Sequence, residues 1–245
     1  MDYLRQLDIF DPKNFVWPVN IIGLGGIGSA VSLALVKLGV SELRLWDNDV
    51  LEEHNIPNQL IYRMNDAGQS KIAATTELLK SHNKELRIRE MGVFDSASAI
   101  DGLVVSAVHS MEKDAEGREG RIGIWKAVKN NPKNNSMVPL YLDGRLGGEI
   151  LELFTIRPFI LKDIEIYEQS LFPDSEAAQL PCTARAVIHP ALVIAGLVAA
   201  QITRWSRKER YFKKMTFDLK TMTFLQYFPS IEPAEPAGLP RTFAK

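Results

Sequence analysis

Cysteine is nearly absent from this sequence: Cys182 is the one thiol in 245 residues. That excludes a disulfide framework and a zinc site of paired C-x-x-C type, and it makes a reducing compartment the natural home. Charge imbalance is lacking as well. A formal net charge of -1 gives no sign of a nucleic-acid-binding surface. The basic residues that do gather, Arg204, Arg207, Lys208, Arg210, Lys213 and Lys214, read as the solvated end of a helix and its turn. The opening Met1-Asp2-Tyr3-Leu4-Arg5 has no basic-then-apolar layout of a signal peptide, so a cytoplasmic protein is expected. The stretch from Ala186 to Thr203 is almost wholly apolar but holds His189 and Pro190 near its start. The roughly 13 residues that follow fall short of the ~20 needed to cross a bilayer. It reads as a helix buried inside the domain, with no membrane partner.

What is present suits one large α/β domain: 46% hydrophobic and 24% charged residues supply a core and a solvated surface. Residues 19 to 23 read as a short buried strand, and Gly25 and Gly26 open a helix that Gly39 closes. A second strand follows at Glu42 to Trp46. This is a βαβ unit, which forces a parallel pair. Further helices are expected at Gly68 to Ser81, near Ile122 to Asn130, and at Pro190 to Trp205. Strands are expected at Arg87 to Met91, Leu103 to Val108, Pro139 to Leu142 and, antiparallel or at an edge, Glu149 to Arg157. Lys214 to Phe217 and Met222 to Tyr227 read as a terminal hairpin. The expected architecture is a Rossmann-like, doubly wound, mostly parallel sheet with antiparallel C-terminal strands. An N-terminal arm of about 17 residues precedes it, the domain runs to residue 228, and residues 229–245, holding four of the thirteen prolines, form an extended tail.

Gly23-Leu24-Gly25-Gly26-Ile27-Gly28 is a G-x-G-x-x-G motif between strand and helix. Its glycines permit a tight turn and close backbone approach, and the helix N-terminus offers unpaired N–H groups to a phosphate. Asp47, at the end of the second strand, stands where a carboxylate can accept hydrogen bonds from ribose hydroxyls. On these residues alone NAD, FAD and ATP all remain open.

The run Asp47-Asn48-Asp49-Val50-Leu51, then Asn55-Ile56-Pro57-Asn58-Gln59, then Gly68-Gln69-Ser70-Lys71, resembles the ThiF-type adenylyltransferase family, which includes the enzymes that activate sulfur carriers and the ubiquitin-activating enzymes. The family pattern is roughly D-x-D, an aliphatic residue two places on, N-x-x-R-Q and G-x-x-K. Asn58 stands where the arginine would be. The match covers about residues 20 to 75, with weaker similarity to about residue 205. The resemblance implies that ATP binds with Mg²⁺, that Asp49 belongs to the nucleotide site, and that Lys71 sets a point charge against the phosphates while Asn55 and Gln59 orient them. Tyr3-Leu4-Arg5-Gln6 is similar to the family's N-terminal R-Q element, which implies that Arg5 reaches a neighbouring subunit's site in a homodimer.

The sequence also departs from the family. Where an aspartate would bind Mg²⁺ after the strand Leu103 to Val108, this chain has His109, and imidazole is a poor ligand for a hard cation. Either Asp143 supplies the missing carboxylate or turnover is weakened while nucleotide binding survives. Arg145, in a loop with Gly144, Gly147 and Gly148, is a candidate for the phosphate contact that Asn58 cannot make, with a structural salt bridge as its alternative. Cys182 precedes the long apolar helix, at a place similar to that of the family's catalytic or sulfur-handling cysteine; a buried, inert thiol is the competing reading.

The activity implied is acyl adenylation. The C-terminal carboxylate of a ubiquitin-like or sulfur-carrier protein, typically after Gly-Gly, attacks the α-phosphorus of ATP and releases pyrophosphate, with onward transfer to Cys182 or to an external acceptor. Two alternatives stand beside it. One is a non-catalytic nucleotide-binding scaffold or sensor of the same fold. The other is an NAD-dependent oxidoreductase, which leaves Arg5, Asn55, Gln59 and Lys71 unexplained.

Overall fold

Strand β1 (Val19–Ile22) occupies the middle of the molecule because all four of its residues are buried and both its edges are paired. In the computed structural model, which describes residues 1–130, 138–176 and 187–227, it pairs in parallel with β2 (Glu42–Trp46) on one side and β4 (Leu103–Ser106) on the other. β3 (Arg87–Gly92) extends the sheet beyond β2, and β5 (Tyr141–Gly147) beyond β4, both in parallel. From β5 the sheet turns antiparallel through β6 (Ile150–Ile156), β7 (Lys214–Asp218) and β8 (Thr223–Tyr227). The order β3-β2-β1-β4-β5-β6-β7-β8 is the Rossmann-like sheet with antiparallel C-terminal strands that the sequence led us to expect.

Period-two alternation along the strands splits the core in two. Val19, Ile21, Leu43, Leu45, Leu103 and Val105 point to one face, under helices α1 (Gly26–Leu38), α2 (Lys71–His82) and α5 (Ile188–Ser206). Ile22, Trp46, Val104, Tyr141 and Phe154 point to the other, under α3 (Arg121–Lys129) and α4 (Leu161–Glu168). α5 is long and apolar enough to cross a membrane by length and composition, yet it lies against α1 and the sheet, burying Ile194, Val198 and Ile202. Phe10 and Phe15 of the N-terminal segment join the same core. The expected tail at 229–245 and Cys182 lie outside the described residues.

Three differences from the sequence reading have physical causes. β5 runs to Gly147 rather than stopping at Leu142, because it pairs with β6 over seven successive residues. The polar Asp143-Gly144-Arg145 is therefore strand and not loop. α2 begins at Lys71, since Gly68 takes a positive φ of 87° and Val50 bridges to Ser70. α4 has no counterpart in the sequence reading: its inward positions include Asp163 as well as Tyr167, both buried, and the carboxylate breaks the apolar period on which a helix is recognised.

The glycine turn after β1 is held by contact distances that admit no side chain at two places. Gly23 has φ 89° and packs against the carbonyl of Ala107, while a Cβ on Gly28 would fall inside contact distance of the Gly23 carbonyl oxygen. At Gly25, by contrast, φ is -73° and a Cβ would have nothing within 4 Å of it. Gly28→Ala is accordingly expected to cost about 1–3 kcal/mol, as overpacked cores do, and to lower Tm by several degrees. Gly25→Ala should unfold with the wild type in the same thermal scan.

Candidate functional site

The C-terminal ends of β1, β2 and β4 converge where the strand order reverses, the place at which open α/β sheets bind ligands. Backbone bonding continues past the strands there: the Gly23 N–H donates to Trp46 O at 2.9 Å and the Ala107 N–H to Ile22 O at 2.8 Å. α1 then starts at Gly26 with glycine as its N-cap, no capping side chain and no acidic residue in its first turn. The helix thus presents uncapped N–H groups and the positive end of its dipole at the mouth of the crevice.

Asp47 ties this turn to β2. Its Oδ2 accepts the Leu24 N–H at 2.6 Å and its Oδ1 accepts the Asp49 N–H at 2.7 Å. Tyr62 donates to the Leu24 carbonyl at 2.9 Å from the other side. The carboxylate of Asp49 is half-exposed and takes two cations: Lys71 Nζ at 2.8 Å on one oxygen and Arg118 Nη1 at 2.5 Å on the other. Lys71 is the first residue of α2, its side chain is 8% exposed, and its backbone N–H donates to Asp49 O at 3.0 Å. Burial pushes the Asp49 carboxyl up, but the hydrogen bonds and charges of Lys71 and Arg118 outweigh it and hold the group below the usual carboxylate range.

The 3₁₀ turn Glu53–Asn58 lies across the first turn of α1, its Asn58 carbonyl 3.2 Å from where a Gly26 Cβ would stand. Asn55 is half-buried and its Oδ1 accepts the Glu52 N–H at 3.1 Å, which fixes the turn. Gln59 is 7% exposed, and its Oε1 is buried without a hydrogen-bond partner among the described residues.

Other expected residues are elsewhere. Asp143 is fully buried, with Oδ1 accepting from Arg121 Nε at 3.0 Å and Oδ2 from Arg145 Nε at 2.7 Å and the Tyr167 hydroxyl at 3.0 Å. Burial raises its pKa, yet the charges of Arg121 and Arg145 prevail and hold it below the ordinary value. A carboxylate saturated by two guanidiniums and a phenol does not fit the role of a Mg²⁺ ligand, so the expectation for Asp143 is corrected. The same geometry corrects Arg145: its guanidinium is consumed by Asp143, by Ser170 and by the face of Phe154, 4.5 Å away. The salt-bridge alternative is the one observed. No group of three or more His, Cys, Asp or Glu side chains suited to a metal ion occurs among the described residues. His109 is exposed in the connection from β4 to α3.

Arg5 is exposed in a short 3₁₀ turn, Leu4–Gln6, that docks at the opposite end of α1, where Gln6 Nε2 donates to Leu38 O at 2.7 Å. α1 has 13 residues, so that end is about 20 Å from the glycine turn. A cleft of about 650 Å³ beside α3, lined by Ser96, Ser98, Glu112, Lys113, Glu119 and Lys126, contains none of the expected site residues. Sequence reasoning misses Tyr62, Arg118 and Arg121. Only Arg118 leaves a signal there, an Asp114–Arg118 spacing of four that is realised as an ion pair at 2.5 Å.

Residues 16–104 match the ThiF family. Ubiquitin-like modifier-activating enzyme 5 of Dictyostelium discoideum is 24% identical over 230 residues, covering 86% of this chain and 57% of that protein. The Caenorhabditis elegans protein of the same name is 39% identical over 70 residues, 29% of this chain and 16% of its own length. Adenylyltransferase and sulfurtransferase MOCS3-1 of Zea mays is 31% identical over 72 residues, 29% of this chain and 15% of its own length. The chain thus spans little more than half of the first of these relatives and a smaller part of the others. Among solved structures, PaaA superposes with a TM-score of 0.66 at 17% identity, covering 89% of this chain and 74% of its own. Escherichia coli MccB with ATP gives 0.66 at 18%, covering 91% and 67%. These structures establish the fold, and the ThiF-type character read from residues 20 to 75 is borne out.

Asp143→Asn is expected to destabilise the protein by about 3–5 kcal/mol at neutral pH, because two buried guanidiniums lose their counter-charge. A carboxyl whose folded pKa is depressed contributes stability above its unfolded value, about 3.9, that is lost as pH falls through the folded one. Denaturant unfolding from pH 7 to pH 3 should therefore show the gap between wild type and variant narrowing only below about pH 4.

Proposed function

We propose that this ThiF-type chain is an ATP-dependent adenylyltransferase that activates the carboxylate of a ubiquitin-like, sulfur-carrier or peptide substrate as an acyl-adenylate. The observation that carries the reading is the chain of bonds by which Asp49 and Asp47 link the buried Lys71 ammonium to the turn that opens the uncapped α1 N-terminus. Backbone N–H groups with a point charge beside them suit a polyphosphate. A hydride-transfer site has no comparable use for Lys71.

The chemistry asks little of the protein beyond placement and charge. The substrate carboxylate is ionised at neutral pH, so no general base is needed. One of its oxygens bonds to the α-phosphorus, the bond from that phosphorus to the bridging oxygen breaks, and pyrophosphate leaves with the electron pair. The glycine turn aligns the phosphates, Lys71 offsets the charge that develops on the leaving group, and Asn55 and Gln59 orient what the amides hold. ATP is expected to bring Mg²⁺ on its phosphates, which then needs no ligand from Asp143. Arg5, about 20 Å from its own glycine turn, acts at the site of a second copy in a homodimer. Cys182 is retained as the candidate acceptor for onward transfer, in a domain of residues 1–228 with an extended tail, working in the cytoplasm.

Titration calorimetry with ATP–Mg²⁺ and with NAD, together with ATP–pyrophosphate exchange in the presence of candidate carriers, tests this. Wild type should bind ATP and not NAD, and Lys71→Ala should weaken ATP binding by about 10- to 100-fold, or ~1.4–2.8 kcal/mol. NAD binding in preference to ATP would overturn the reading. ATP binding with no exchange on any carrier would favour the nucleotide-binding scaffold, as His109 at the place of the family's aspartate suggests.

A further inference from the structure

The connection from β4 to α3 delivers a cation that the activity proposed above leaves unassigned. We propose that Arg118 is the second phosphate-binding cation of the nucleotide site, held by Asp49 while the site is empty and transferred to the β- and γ-phosphates when a nucleoside triphosphate enters. This inference rests on the nucleotide-binding reading and adds to it a residue and a movement.

The placement comes first. Arg118 Nη1 and Lys71 Nζ bind the two oxygens of one carboxylate, Asp49, at 2.5 and 2.8 Å. The Asp49 N–H rests on Asp47, whose other oxygen holds the Leu24 N–H of the glycine turn. Two hydrogen-bonded carboxylates thus link the guanidinium to the place where α1 opens. The neighbourhood that assigns Lys71 to the phosphates is also that of Arg118, which shares its anchor.

The division of contacts then points to exchange. Arg118 Nε and backbone N–H both bind Asp114, at 2.5 and 2.9 Å, within the same loop. Nη2 meets Glu116 at 3.1 Å, a carboxylate that is 65% exposed. These contacts travel with the loop. Only the bond to Asp49 crosses to the nucleotide side, and both of its partners are about one-third exposed, at 31% and 38%. Solvated pairs of this kind are worth about 0–1 kcal/mol, so giving one up costs little. A phosphate that takes the same guanidinium edge offers a charge-assisted and geometrically matched contact in exchange.

The competing arginines are committed elsewhere. Arg121 and Arg145 are buried on Asp143, Arg63 pairs with Asp66 and Glu77, and Arg5 sits at the far end of α1. Asn58, in the turn that crosses the α1 N-terminus, brings no charge. Of the cations this chain brings to its own glycine turn, Lys71 is placed there by Asp49, and Arg118 is the guanidinium on the same carboxylate.

The test is calorimetry of ATP and AMP, each with wild type, Arg118→Ala and Arg118→Lys, after thermal scans of all three. ATP binding should weaken about tenfold or more in Arg118→Ala and recover in part in Arg118→Lys, while AMP, which lacks the outer phosphates, binds all three alike. Equal weakening of AMP and ATP would make Arg118 a scaffold for the loop and overturn the proposal, as would unchanged ATP binding in Arg118→Ala. Should Arg118→Ala melt early, the ratio of ATP to AMP affinity in Arg118→Lys decides: a ratio equal to that of wild type overturns the proposal only if Arg118→Gln, which keeps size without charge, shows it too. Wild type that binds neither nucleotide would remove the adenylyltransferase reading itself, an outcome distinct from any of these.

Discussion

One carboxylate sets the geometry on which the rest of the site depends. Asp47 holds the amide of Leu24 on one oxygen and the amide of Asp49 on the other, and so binds the turn after β1 to the segment after β2. Each bond is to a charged acceptor, worth about 1.5–3 kcal/mol rather than the ~1 kcal/mol of a neutral pair. With that clamp in place the glycine turn cannot open, α1 starts where it must, and Asp49 faces the crevice with two cations on it. Substitutions at Asp47 would therefore act on nucleotide recognition, on loop geometry and on stability together.

Asp49 and Asp143 show how burial decides what an ion pair is for. Each carboxylate carries two cationic partners at similar distances. Asp49 is 38% exposed, whereas Asp143 is 0% exposed. In a solvated setting the Coulomb term is screened to about 1 kcal/mol at 4 Å and partners can be swapped. In the interior the same charges are desolvated, so each depends on the other and removing one leaves an uncompensated ion. The cluster around Asp143 also joins parts of the chain: Arg121 reaches the Ser110 and Gly144 carbonyls, and Tyr167 brings α4 onto β5. It is a fastening, placed one strand away from the ligand crevice.

The parts of this molecule that can be read in the sequence are those where a local rule and the tertiary fold agree. The turn Gly23 to Gly28, the strand Glu42 to Trp46 and the closing Gly39 combine backbone geometry with apolar patterning, and each is found within a residue or two. Lys71 is legible through its spacing from Gly68, although α2 starts later than expected because residues 68–70 are used in a bridge. What cannot be read depends on pairing across the chain. Whether Asp143 faces a metal or two arginines is set by Arg121, 22 residues earlier, and no periodicity records that. Arg118 reaches a partner 69 residues away. α4 is hidden because its buried Asp163 is made tolerable by Arg157, just past the end of β6, and Lys213, just before β7.

The closed triad of Arg121, Asp143 and Arg145 also constrains the history this sequence can have. With all three side chains buried around one negative charge, exchange of Asp143 alone strands two guanidiniums, whereas exchange of either arginine leaves the carboxylate paired with the other. The route to an uncharged version must change several positions together or pass through a poorly folded intermediate. Within a lineage, a relative that lacks Asp143 would be expected to lack both arginines as well. A graft of this strand into another member of the fold would have to carry the start of α3 with it.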